Sequence, residues 1–241
     1  MILYGINPVL EALRAGRLTA LRIASRSDAR VGQVLRAARE RGTPIERVDA
    51  AVLDRDTGGG VHQGVVGEIA EAPEPSVRDL IAGAGSPPLL VVLDGIEDPR
   101  NLGAILRSAD AAGATGVIRQ ARRAAPLGGV AAKTSAGAMA HLQVATVVNV
   151  ARALEELHRA GIWTVGLTSG AKQRYDQVDL TLPTALVLGA EGAGLRRLVR
   201  ERCEVLASIP MKGHVESLNV AVAAGVALFE AVRQRAIKGS A

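Results

Sequence analysis

The chain is almost without aromatic residues. Tyr4, Trp163, Tyr175 and Phe229 are the whole set among 241 residues. Modules that hold single-stranded nucleic acid by stacking bases on aromatic platforms need more than this. Cysteine is equally scarce. Cys203 stands alone, so no intrachain disulfide framework can form, which fits a reducing, cytoplasmic compartment. The histidines (His62, His141, His158 and His214) are scattered, and with one cysteine they make no structural zinc site, so no metal is expected. Outside the C-terminal stretch, no apolar run approaches about 18 residues without a charge. The N-terminal MILYGINPVLEALRAG has no basic segment followed by a long apolar one, so neither a signal peptide nor a membrane span is expected.

Lysine is nearly missing too. Of 29 basic residues only Lys133, Lys172, Lys212 and Lys238 are lysines, against 24 acids, for a net charge of +5. The planar fork of arginine binds two phosphate oxygens at once. An anionic partner and an ordinary solvated, arginine-rich surface both fit this balance. If RNA binds, it does so through its backbone, through arginines and through shape.

A domain takes about 100–200 residues, so the length allows one large domain or two small ones. A composition break falls at EAPEPS, residues 71–76, with a softer one at GAGSPP, residues 83–88. Between them Ser76 can cap a short helix through Leu80. Residues 1–70 read as a small α/β unit. Asn7 followed by Pro8 predicts a helix start. Asp28 is placed to cap a second helix, with Val31, Val34, Leu35 and Ala38 on one face. Strands are expected at Leu21–Ala24, Pro44–Val48 and Gly64–Ile69, with a flexible loop at Gly58–Gly60.

From about residue 88 strands and helices alternate. PLLVVLDG is continuously apolar, as a buried parallel strand should be. A helix over about Leu102–Ala112 and a strand over Gly116–Ile118 follow. LQVATVV, IWTVGLT, TALVLGA and VLASIP are further strands, which together predict a mostly parallel sheet covered on both faces. The last segment, Ser217 to about Arg235, is apolar round most of its circumference, which predicts burial beneath another chain.

Three segments crowd polar and glycine residues just after a buried strand, where ligands sit in an open α/β sheet. The first is LDGIEDPRNLGAILRSADAAGA, residues 93–114. Here Asn101 can cap the following helix or face a ligand. Arg107, six residues on and on roughly the same side, can make a surface ion pair or bind a phosphate. The second is LVLGAEGAGL, residues 186–195. Gly189, Gly192 and Gly194 let a backbone pass close to a ligand, or simply make a turn, and Glu191 stands among them. Their order is not the dinucleotide fingerprint, which argues against a nicotinamide-dependent oxidoreductase. The third is IPMKGHVESLNVAVAAGVALFE, residues 209–230, where Ser217 is placed to cap the last helix and Asn219 needs a partner if buried.

In order and spacing, these three segments resemble the SpoU/TrmH class of SPOUT methyltransferases, which methylate a ribose 2′-oxygen of RNA from S-adenosylmethionine. KTSAGA at 133–138 and Asn149 also look like family positions. YGINPVLEAL and the HQGVVG stretch at 62–67 resemble the N-terminal RNA-binding domain, of the ribosomal-protein L30e type, of 23S rRNA (guanosine-2′-O)-methyltransferases. The resemblance thus covers the whole chain. It implies an L30e-like α/β domain at 1–70, a linker at 71–87, and a SPOUT α/β catalytic domain at 88–241. That catalytic domain is expected to carry a deep trefoil knot, a rare feature among folds. It further implies a homodimer formed through the knotted domain and the C-terminal helix.

By the same resemblance Gly189, Ile209 and Leu218 bind S-adenosylmethionine largely through backbone atoms, and Gly192 and Ser217 line that site. Asn101, Arg107, Glu191, Ser217 and Asn219 match the catalytic and substrate-positioning residues. The reaction needs no metal. Arg107 is proposed in the family to act as the base. Arginine is effectively always protonated, so a charged Arg107 that holds a phosphate and stabilises a developing alkoxide is the other reading. Ala221 departs from the serine often found in relatives. A guanosine of 23S rRNA is the expected target, with a tRNA ribose and a non-catalytic rRNA-binding factor as the alternatives.

Overall fold

In a computed structural model, the structure describes residues 2–25, 31–69, 74–83 and 87–239. The chain forms two compact units. One comprises residues 1–73 with 126–141, the other residues 74–125 with 142–241.

The smaller unit runs β1 (Ile2–Tyr4), α1 (Ile6–Arg14), β2 (Leu18–Ala24), α2 (Val31–Glu40), β3 (Ile45–Val48), α3 (Ala50–Asp56) and β4 (Val65–Ile69). Its sheet has the order β1-β4-β2-β3. β4 runs antiparallel to both neighbours, and β2 and β3 are parallel. Asn7 is not the cap of α1. Gly5 takes that position at φ 93°, and the Gln63 side chain accepts from the Ile6 N–H at 3.1 Å. A residue with a Cβ rarely adopts such a φ, so the glycine lets the helix start two residues earlier than the Asn-Pro pair suggests. The expected cap Asp28 lies outside the described residues.

The larger unit opens with α4 (Val77–Ala82). Here Ser76 does cap the helix, in a reciprocal box with Asp79. β5 (Leu89–Asp94), α5 (Pro99–Ala111) and β6 (Gly116–Gln120) follow. The chain then returns to the smaller unit through the helical turn α6 (Val130–Thr134). The KTSAGA segment lies here. Gly137 sits at φ 100°, where a Cβ would come within 2.5 Å of the Glu11 side chain. The Arg17 guanidinium donates to the carbonyls of Met139 and Ala140, each at 2.9 Å. No local signal in the sequence marks this excursion.

The larger unit resumes with β7 (Val144–Val147), α7 (Val150–Arg159), β8 (Trp163–Leu167), β9 (Gln173–Arg174), β10 (Thr184–Gly189), α8 (Arg197–Arg202), β11 (Val205–Ser208) and α9 (Val220–Gly239). Its sheet has the order β7-β6-β5-β10-β8-β11-β9, with every strand pair parallel. All six residues of β5 and of β10 are buried, as strands covered on both faces must be. Leu80 of α4, Leu154 and Leu157 of α7, and Val199 of α8 pack on Leu90, Val92, Ile118 and Val187. By strand alternation Leu89, Val91 and Leu93 point to the opposite face and are buried as well. There α5 packs along α9, which lies against β10.

Two helix starts differ from expectation. Asp98, not Asn101, caps α5: it accepts from the Arg100 N–H at 2.7 Å, with Pro99 at the first helical position. Asn219, not Ser217, caps α9, accepting from the N–H groups of Ala221 at 2.9 Å and Val222 at 3.4 Å. Within a single chain α9 is buried along one side. Val220, Ala224, Ala227, Leu228 and Ala231 form its buried stripe, at the three-and-four spacing of one helix face. Val222 and Phe229 are exposed on the remainder.

Candidate active site

The carboxyl ends of β8, β10 and β11 meet the segment before α9 around one cleft of about 360 Å3. That is within the size range of small-ligand sites. Its walls are Leu167, Leu188, Ile209, Leu218 and Val220, interrupted by Thr168, Ser169, Glu191, Glu216 and Ser217. All the residues expected to bind a cofactor (Gly189, Gly192, Ile209, Ser217 and Leu218) line this cleft. Thr168, Ser169, Met211 and Glu216 line it too and had not been singled out. The rule that ligands sit at the carboxyl ends of parallel strands would have found the first two, which follow β8 directly.

The glycine loop is shaped by contact as well as by φ. Ala190 and Gly194 exchange backbone hydrogen bonds of 3.1 and 2.8 Å, closing a tight hairpin with Glu191 in its turn. Gly192 and Gly194 adopt φ of 74° and 66°. A Cβ on Gly189 would lie 2.1 Å from the Gly194 carbonyl carbon, so only glycine lets the loop fold back over the strand end.

Three of the five expected catalytic residues meet through one amide. The Asn219 Nδ2 donates to Glu191 Oε1 at 2.7 Å and to Asn101 Oδ1 at 3.0 Å, while its Oδ1 caps α9. Every hydrogen-bonding group of that amide is in use, which fixes its orientation. Ser217 is exposed at the cleft, outside this network. Arg107 is exposed on α5, also outside it. At 3.6 residues per turn, six residues separate two side chains by about 120°. Asn101 and Arg107 therefore do not share a side: Asn101 turns inward to Asn219 and Arg107 outward. Among the described residues Arg107 has no acidic partner.

Below the loop, Asp94 at the end of β5 is enclosed and takes both the Nε and the backbone N–H of Arg196, at 2.7 and 2.8 Å. Cys203 nearby is no nucleophile. Burial, with the Asp94 and Glu204 charges adding to it, pushes its thiol pKa up to about 12.

Residues 88–229 match the SpoU rRNA methylase family, and residues 2–75 match the RNA 2′-O ribose methyltransferase substrate-binding family. The chain belongs to the SpoU rRNA methylase family. Among relatives, a 23S rRNA (guanosine-2′-O-)-methyltransferase RlmB of Xylella fastidiosa is 45% identical over 98% of this chain and 97% of its own length. Its counterpart in Pseudomonas putida is 43% identical over 98% and 97%. Among solved structures, the SpoU methyltransferase AviRb from Streptomyces viridochromogenes, in complex with its cofactor AdoMet, superposes with a TM-score of 0.83. That match has 30% identity and covers 98% of this chain and 91% of that one. The parallel seven-stranded sheet is thus the sheet of a SpoU methyltransferase. Among the described residues, no helix is long and apolar enough to cross a membrane.

Proposed function

We propose that this SpoU-family chain transfers a methyl group from S-adenosylmethionine to a ribose 2′-oxygen of RNA, and that the acceptor is a guanosine of 23S rRNA. The observation that carries the reading is the Asn101–Asn219–Glu191 set beside a nucleoside-sized cleft. End-to-end similarity to 23S rRNA guanosine methyltransferases supports the substrate.

The residues present fit the cofactor. Leu167, Leu188, Ile209 and Leu218 offer apolar walls to an adenosine, and the Glu191 and Glu216 carboxylates suit a positively charged ligand. Gly189, Ile209 and Leu218 would hold it mainly through backbone atoms, with Gly192 and Ser217 beside them. When bound, S-adenosylmethionine supplies an electrophilic methyl carbon on a sulfonium sulfur.

The chain's own task is to orient a ribose hydroxyl, take up charge as its proton leaves and hold the neighbouring phosphate. Asn219, its amide fixed at both ends, and Glu191 orient groups at the cleft. Arg107, exposed and without an acidic partner among the described residues, binds the RNA phosphate and stabilises the developing alkoxide. That open charge favours the phosphate role over the base.

Residues 1–70 serve as the L30e-like RNA-binding domain, 71–87 as its connection and 88–241 as the catalytic domain. The strand order supports a trefoil knot in the last part. The chain leaves β8, comes back as β10 between β5 and β8, and then emerges as β11 on the far side of β8. The exposed Val222 and Phe229 of α9 support a homodimer through that helix.

The test is methyl transfer from labelled S-adenosylmethionine to deproteinised RNA from a strain lacking the gene, with the labelled nucleotide mapped. Label on a 23S guanosine is expected. Label on tRNA moves the substrate, and no label without cofactor binding leaves an RNA-binding factor.

A further inference from the structure

Glu191 and Asn101 reach the same amide from segments about 90 residues apart, and one buried carboxylate lies between those segments. Asp94 is the last residue of β5 and pairs in register with Gly189, the last of β10. Four residues after Asp94, Asp98 caps the helix that carries Asn101. Two residues after Gly189, Glu191 stands in the turn of the loop whose far end is Arg196. The loop closes on itself through Ala190 and Gly194. Its exit is then tied to Asp94 by the Arg196 backbone N–H at 2.8 Å, by Nε at 2.7 Å and by Nη2. The Asp94 side chain is fully enclosed while that of Arg196 is half exposed, so the enclosed partner sets the geometry and the other closes over it. Both carboxylate oxygens are used by one residue, a charge-assisted arrangement that fixes direction as well as distance.

We infer that Asp94 and Arg196 are positioning residues for the reaction. The pair locks the glycine loop onto the end of β5 and so holds Glu191 against Asn219 at the cleft. This rests on the methyl-transfer reading, because it assigns the pair a consequence for turnover. A purely structural pair would change the melting temperature and nothing more specific. A pair that acts through Glu191 makes two further demands. The loop must loosen when the pair is broken, and the loss of turnover must vanish once Glu191 is already gone.

The experiment uses the full chain with Arg196→Ala, Arg196→Lys, Glu191→Ala and the Arg196→Ala/Glu191→Ala double variant. Amide hydrogen exchange over residues 190–195 needs no activity; single-turnover methyl transfer and S-adenosylmethionine affinity complete the set. Arg196→Ala is expected to speed exchange in the loop and to slow transfer by about 100-fold, the scale of a 1 Å misplacement. The double variant is expected to be no slower than Glu191→Ala. Arg196→Lys, with one point charge in place of a fork, should fall between while keeping the wild-type melting temperature. Unchanged exchange in Arg196→Ala, or a loss fully additive with Glu191→Ala, overturns the inference. If the unmodified chain transfers no methyl group, the methyl-transfer reading fails, and with it the consequence for turnover claimed here. If the unmodified chain is active and Arg196→Ala matches it, only the positioning role is lost.

Discussion

The amide of Asn219 donates to the carbonyl of Asn101 at 3.0 Å across 118 residues of sequence, joining the first turn of α5 to the cap of α9. The same amide holds Glu191 and, through its oxygen, the start of α9. One side chain thus has a stability role and a site role, and a single substitution separates them. Asn219→Asp keeps an oxygen for the cap, where aspartate serves as well as asparagine. It replaces the donor with a second carboxylate facing Glu191. The cap survives, but the Asn101 carbonyl loses its donor and two carboxylates face each other, so melting should fall by the equivalent of about 1–2 kcal/mol, while turnover falls by about 100-fold or more. Calorimetry beside a methyl-transfer assay reads both, and a much larger loss of stability, or retained turnover, would refute the division.

Arg107 presents the opposite case. It is exposed and holds nothing in place, so Arg107→Ala should leave stability within about 0.5 kcal/mol. S-adenosylmethionine affinity should be unchanged, and turnover on RNA should be lost. A large drop in cofactor affinity would move Arg107 out of the RNA-binding role.

Arg235 is a structural counterpart. Its guanidinium donates to the carbonyls of Leu180, Pro87, Pro88 and Leu182 at 2.7 to 3.0 Å, stapling α9 to the entries of β5 and β10. Arg235→Ala strands several of these acceptors and should cost about 3 kcal/mol, seen as an earlier denaturant midpoint. Arg235→Lys should recover only part, since a lysine cannot spread over four acceptors.

Acid should weaken the same helix. Hydrogen bonds from Arg233 hold the Glu230 carboxyl below its usual range, against a smaller opposing effect of burial, and Gln234 adds a further bond. A carboxylate whose folded pKa is depressed contributes stability above its unfolded value, near 4.3, and loses it as pH falls through the lower folded value. Thermal stability should therefore be flat above about pH 5 and decline below about pH 4. Glu230→Gln should make that decline shallower, and an unchanged acid limb would assign it to other carboxylates.

What was legible in the sequence was local. The apolar run of β5, the Ser76 cap of α4 and the glycines of the 189–194 loop follow from composition and spacing alone. Spacing alone leaves Asn101 able to cap α5 or to face a ligand, and it places Ser217 as the cap of α9. Pro99 at the first helical position decides for Asp98 over Asn101 and thereby frees Asn101 to face the site. Ser217 lost to Asn219 for want of any such marker. The Asp94–Arg196 pair spans 102 residues and depends on β10 lying beside β5, which no periodicity reveals. The packing of 126–141 on the smaller unit is non-local in the same way: Gly137 is needed because of Glu11, far away in sequence.

Asn101, Asn219 and Glu191 are proposed to serve methylation of a ribose hydroxyl. The most direct measurement is mass spectrometry of nucleosides released from 23S rRNA after incubation with S-adenosylmethionine and either the unmodified chain or Asn219→Asp. 2′-O-methylguanosine is expected from the first and almost none from the second. A methyl group on a base, or equal product from both proteins, would contradict that role.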